Sequence, residues 1–191
     1  MSATLEKSVR ESRPLLRWSV EEYERLVALG VFSPEKRVEL IEGEIVEAMP
    51  QKPAHRLTVS LILPIAMRWS GEGYHVLCQS PLRLGNSVPE PDIAIVSGQP
   101  RDYATSHPTT AALVIEVSDT TLEYDQTIKA AIYAVASIED YWIININERT
   151  VEIRRQPGPS GYRSLQTYTE TDTIAPLFNP TASIAVAELL P

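Results

Sequence analysis

Two short segments of this chain, Asp92-Ile-Ala-Ile-Val96 and Ala112-Leu-Val-Ile-Glu-Val117, are apolar at almost every position. A strand at a surface alternates apolar with polar residues, so near-continuous runs of this length predict central strands covered on both faces. A sheet whose middle strands are covered twice needs helices packed above and below it. Each segment also carries one acid, Asp92 at the start of the first and Glu116 inside the second. An ionisable group within an apolar strand is costly unless it has a partner. Glu116 is therefore the residue least easily explained by folding alone.

The flanking sequence supplies the other layers. Ser19-Val-Glu-Glu22 has capping-box spacing and predicts a helix through Leu29, stopped by Gly30. Residues 37–42 and 44–48 flank Gly43, and Val38 and Leu40 alternate with charged residues, the pattern of a β-hairpin. Helical spacing of Leu57, Leu61 and Ile65 predicts a helix over 54–69, with Pro64 expected to kink or divide it. Strands are expected over 74–84, 92–96 and 112–117. Thr120-Thr-Leu-Glu123 reads as a second capping box, opening a helix over 121–136. Strands over 141–145 and 150–155, a turn-rich stretch around Pro157 to Gly161, a strand over 163–168 and a terminal helix over 182–190 complete the reading. The fold class is α/β (α+β), a mixed sheet flanked by helices. Residues 1–16 are expected to form a flexible arm and 17–191 a single domain.

Composition narrows the setting. With 43% hydrophobic and 22% charged residues over 191 positions, the chain resembles an ordinary globular protein with a real core. A lone cysteine, Cys78, excludes an intramolecular disulfide framework and suits a reducing compartment. The longest apolar stretch, 57–69, is too short for a bilayer, and the N-terminus lacks a signal-peptide core. A cytoplasmic location without membrane contact is expected. The net charge of −8 argues against tight holding of duplex DNA, which favours basic faces. A bound cation would reverse that sign locally.

Carboxylates at the start of one strand and near the end of the next can meet at a common sheet edge if the strands pair. Magnesium suits such a pair, because it keeps several waters and takes few protein ligands. Lys129 stands 13 residues after Glu116, on the following helix. From there a long side chain can reach back to steady a water or a developing negative charge. Asp92, Glu116 and Lys129 thus predict a metal-assisted hydrolytic site beside a phosphodiester.

The segments Val38-Glu-Leu-Ile-Glu-Gly-Glu-Ile45, Pro91-Asp92, Val114-Ile-Glu-Val-Ser118, Asp125-x-x-x-Lys129-x-x-x-Tyr133 and Glu139-Asp-Tyr-Trp142 occur in this order. The set resembles the Uma-two family, assigned as restriction endonucleases within the PD-(D/E)XK nuclease superfamily. The resemblance runs from about Trp18 to the C-terminus. It implies a restriction-endonuclease-like fold and cleavage of DNA with Mg2+, for which Mn2+ can substitute. It also implies that Asp92 and Glu116 are the metal carboxylates, that Glu39 is the family's early glutamate, and that His55 matches a histidine opening its first core helix. The superfamily's usual lysine, two positions after the strand glutamate, is absent, for Ser118 stands there. Lys129 is its counterpart in the resembled family.

Blander readings compete. Asp125 and Lys129 have the i, i+4 spacing and polarity of a surface ion pair. Asp125 is read as structural and Lys129 as catalytic; Ser118, His55 and Asp125 are supporting candidates. Glu39 is read as catalytic, supporting through a second metal or a water, although it alternates with apolar neighbours and could sit on a solvated face. Cutting both strands of a duplex calls for two events or a homodimer, and a homodimer is expected. The rival to the nuclease reading is an inactive nuclease-fold binding or interaction module, favoured by the acidic charge and the displaced lysine.

Overall fold

The computed structural model describes residues 15–33, 35–71 and 73–191. Most of the arm expected over 1–16 lies outside the described residues. Helix α1 (Val20–Ala28) starts at the expected capping box: the Ser19 hydroxyl accepts from the Glu22 amide at 3.2 Å, and the Ser19 amide donates to Glu22 Oε2 at 2.8 Å. Strands β1 (Val38–Ile41) and β2 (Glu44–Glu47) then form an antiparallel hairpin. Its two-residue turn has positive φ at both Glu42 and Gly43, as primed hairpin turns require.

Helix α2 (Pro53–Ser70) is one unbroken element. Pro64 does not divide it. The carbonyl that loses its donor belongs to Ser60, which is exposed and can turn to water. Strand β3 (Tyr74–Cys78) is shorter than expected, because Gln79 adopts a positive φ of 48° and ends the extended run. Strands β4 (Ile93–Ser97), β5 (Leu113–Ser118), β6 (Asp140–Asn145), β7 (Thr150–Gly158) and β8 (Gly161–Thr169) complete a six-stranded sheet in the order β3-β4-β5-β6-β7-β8. Only β5 and β6 are parallel. A parallel neighbour needs a crossover, and the helical segment α3 supplies it. This segment comprises α-helical Leu122–Tyr124, a π-helical turn Asp125–Lys129 and α-helical Ala130–Val135.

The expected capping box at the start of α3 is not formed. Thr121 makes no cap bond and donates its hydroxyl to Asp125 Oδ2 at 2.7 Å instead. The terminal helix expected over 182–190 is replaced by β10 (Ile184–Ala185), paired with β9 (Thr173–Ile174), and a single 3-10 turn, Val186–Leu189. The β-branched Ile184 and Val186 favour the extended form, and their side chains, with Leu189, are buried in the core.

Alternation along β5 assigns the layers. Leu113, Ile115 and Val117 face α2, where Ile62, Ala66 and Trp69 are buried. Val114 faces α3 with Ala94, Tyr133 and Tyr141. Trp69 meets Trp142 edge-on at 5.6 Å and clamps α2 to the sheet. Burying each of these large side chains contributes about 1.5–3 kcal/mol. A third cluster, Val20, Tyr23, Leu40 and Val88, seats α1 and the hairpin against the body. No helix among the described residues is long and apolar enough to cross a membrane.

Candidate active site

The sheet brings the two acids together. In the antiparallel β4–β5 pair, Ile93 lies opposite Ile115, so the next positions outward, Asp92 and Glu116, are neighbours at the same end of the sheet. The hairpin comes over this end from one side, α2 begins beside it, and the π turn of α3 crosses it from the other. Between them is a cleft of about 390 Å³, lined by Glu39, His55, Asp92, Glu116, Asp125 and Lys129. Ser118 stands behind it, fully buried, its hydroxyl donating to Asp125 Oδ2 at 2.6 Å.

Glu116 is 4% exposed, and both its donors converge on one oxygen: Lys129 Nζ at 2.8 Å and the Tyr133 hydroxyl at 2.7 Å reach Oε1. Among the described residues Oε2 has no hydrogen-bond partner. Lys129 also pairs with Glu39 Oε1 at 3.4 Å, and the Glu90 amide donates to that same oxygen at 2.6 Å. Asp92 is held more completely. Its Oδ2 accepts from the Val117 amide at 2.9 Å and lies 3.0 Å from His55 Nε2, while Gln79 Nε2 donates to Oδ1 at 3.0 Å.

Three carboxylates, those of Glu116, Glu39 and Asp125, therefore act on one ammonium, and Asp92 adds a fourth beside Glu116. Burial raises the Glu116 carboxyl to about 8; Lys129 opposes the shift, and Asp125, Asp92 and Glu39 add to it. Burial alone would discharge Lys129, but Glu116, Glu39 and Asp125 outweigh it and hold its pKa above the usual lysine value. Asp92 moves the other way: burial is outweighed by His55 and by the Val117 amide and Gln79, which keep it ionised. Asp125 is raised by burial, against Lys129 and the Ser118 and Thr121 hydroxyls. A surplus of buried acids, with one Glu116 oxygen left open to the cleft, favours a proton or a cation there.

The spacing of Asp125 and Lys129 does not make a surface ion pair. Both side chains are buried, and the hydrogen bonds of Lys129 go to Glu116 and Glu39. The π turn brings this about, with the Ala130 amide bonding back five residues to the Asp125 carbonyl, which also accepts from the Tyr141 hydroxyl at 2.9 Å. Single π turns within helices recur at functional sites. Three groups escaped the sequence reading. Tyr133 was visible only as the last residue of a motif, although Asp125, Lys129 and Tyr133 recur every four positions and so share a helix face. Gln79 and Tyr124 gave no sequence signal. The Tyr124 hydroxyl and His55 Nδ1 are buried at the cleft without hydrogen-bond partners among the described residues.

Among the described residues no three His, Cys, Asp or Glu side chains are grouped so that together they could hold a metal ion. The donor set suits a hard cation that takes one or two carboxylates and retains its waters. Tetrahedral zinc favours several His or Cys ligands, and the cleft lining offers one histidine and no cysteine.

Comparison with known proteins places the fold. A crystal structure titled as that of a putative nuclease belonging to DUF820, from Anabaena variabilis, superposes with a TM-score of 0.69 at 18% identity, covering 92% of this chain and 97% of that one. At that identity the likeness concerns the fold alone. No curated protein matches. The family model described as "Putative restriction endonuclease", Uma2, matches residues 20–187, and the chain belongs to that family.

Proposed function

We propose that this protein is a metal-dependent endonuclease that hydrolyses DNA phosphodiester bonds. The observation that carries the reading is the pairing of Lys129 with a Glu116 carboxylate that keeps one oxygen free, in the same cleft as Asp92. Asp92 and Glu116 would hold Mg2+, or Mn2+ in its place. When bound, the cation supplies an acidified water and takes up charge from a non-bridging phosphate oxygen.

The chain's own groups prepare that chemistry. His55, Gln79 and the Val117 amide fix Asp92 as a carboxylate, leaving it little freedom to rotate. Tyr133 and Lys129 fix Oε1 of Glu116 and so turn Oε2 to the cleft. The Lys129 ammonium is placed to orient a water or to stabilise charge building on phosphate. Glu39, tethered by the Glu90 amide, limits the swing of that ammonium. Asp125 is locked by two hydroxyls and acts through its charge on Lys129.

The rival module reading drew on the missing lysine two residues after Glu116, yet an ammonium reaches Glu116 from α3. The test is calorimetric titration with Mn2+ together with plasmid nicking, on the wild type and on Asp92→Ala. The expected result is metal binding and nicking in the wild type, with nicking reduced at least 100-fold in the variant, as for loss of a principal charge-stabilising group. A wild type that neither binds metal nor cuts would return the protein to the interaction-module class.

A further inference from the structure

The cleft is small, acidic and walled on one side by a tied hairpin, and these three properties bear on which form of DNA it can admit. The acids and the lysine at its floor are 3–7% exposed. Its volume of about 390 Å³ is that of a small-molecule pocket. The hairpin wall is not free to swing out. The Val88 amide donates to the Leu40 carbonyl at 2.6 Å, the Gly43 amide to Asn86 at 3.1 Å, and the Tyr23 hydroxyl to Val38 at 2.7 Å.

Seven acidic and three basic residues line the cleft. Of the three cations Lys129 is at the floor, and the two at the mouth are taken: Arg37 pairs with Glu90 at 2.9 Å and Lys52 with Asp119 at 3.2 Å. A duplex brings one negative charge per 1.7 Å of axis against such a surface, with no cations free among these lining groups to displace its counterions. A single strand brings half that density and can dip one phosphate to the floor. It also has unpaired bases, and the partly buried Tyr124 lines the cleft with an aromatic side chain against which one can rest. Among the described residues the buried Tyr124 hydroxyl has no hydrogen-bond partner.

We infer that the cleft takes an unpaired strand, with one base seated on Tyr124, and does not take continuous duplex. This rests on the nuclease reading above and names its substrate class. The experiment uses three fluorescein-labelled oligodeoxynucleotides of one sequence: single-stranded, fully duplex, and duplex with a central unpaired bubble. Cleavage is followed in Mn2+, and binding in Ca2+ by fluorescence anisotropy. Cutting of the single strand and of the bubble is expected to exceed that of the duplex by at least tenfold. Tyr124→Ala is expected to weaken single-strand binding roughly tenfold, the effect of losing one base–aromatic stack, while Tyr124→Phe retains it. Duplex cut as fast as single strand overturns the inference and leaves the nuclease reading standing. Equal single-strand binding by Tyr124→Ala removes the seat for the base. Absence of cutting and binding with every probe overturns both readings together.

Discussion

Two buried acids at different positions in the same sheet meet opposite fates. Asp140, at the start of β6, is fully buried, and four donors satisfy it: Trp142 Nε1 and Arg155 Nε on Oδ1, Arg155 Nη2 and the Leu177 amide on Oδ2. Glu116, one strand away, has two donors, both on one oxygen, and three further carboxylates nearby. The first arrangement is complete and ties the C-terminal segment to the sheet through Arg155, which also donates to the Ala175 carbonyl at 2.8 Å. The second is incomplete in both hydrogen bonding and charge. Burial of an acid is thus not what marks a site. The mark is a deficit that the protein leaves for something else to fill.

The comparison breaks if the two acids respond alike to removal. Asp140→Ala strands Arg155 and the Leu177 amide, and removing one partner of a buried pair costs about 3–5 kcal/mol. Urea unfolding should register that loss, while the cleavage rate per folded molecule, measured well below the melting temperature, stays at the wild-type value. Glu116→Gln should do the reverse, with cleavage abolished and the metal-free protein made more stable at alkaline pH. The sign follows from proton linkage. The folded Glu116 carboxyl keeps its proton up to about 8, whereas the unfolded one releases it near the ordinary value of 4.5. Between these limits the folded state binds more protons, so metal-free stability falls as pH rises and levels off above the upper limit. Melting scans in a chelator should show the wild-type melting temperature falling by at least several degrees across that window. A wild-type melting temperature that rises from pH 5 to pH 8 would contradict the charge surplus assigned to the cleft.

Local patterns carried the legible part of the fold. The Ser19–Glu22 capping box, the Gly43 turn and the two apolar strands each depend on neighbours within a few residues, and each forms as expected. What escaped depends on partners distant in sequence. The Thr120-Thr-Leu-Glu123 spacing is that of a capping box, yet the helix starts one residue later, at Leu122, and the hydroxyl of its N-cap Thr121 goes to Asp125. The π turn needs the Tyr141 hydroxyl, 16 residues on, at the Asp125 carbonyl. Spacing alone could not tell a surface pair from a buried one at Asp125 and Lys129, because it is silent on what lies beneath. Asp92 and Glu116 were legible because an acid is conspicuous beside or within an apolar strand, and Lys129 because it follows on the next helix within reach of them. The neutral residues that hold them, Gln79 and Tyr133, carry no such contrast.

Gln79 gives the smallest and most selective test. A non-glycine residue at a φ of 48° is strained, yet here the strain turns both the amide of its backbone and that of its side chain onto Asp92: the backbone N–H reaches the Asp92 carbonyl at 3.1 Å and Nε2 reaches Oδ1 at 3.0 Å. Gln79→Gly relieves the backbone and deletes the side-chain donor, so the two contributions separate. Stability should change by less than about 1 kcal/mol, as the relieved strain offsets one lost hydrogen bond. Cleavage should fall about 3- to 10-fold, because Asp92 keeps His55 and the Val117 amide but gains freedom at Oδ1. Gln79→Ala, which keeps the strain and loses the donor, should be the less stable of the two with the same loss of rate. If Gln79→Gly cut at the wild-type rate, the strained turn would be only the end of β3, and Asp92 would be held by His55 and Val117 alone.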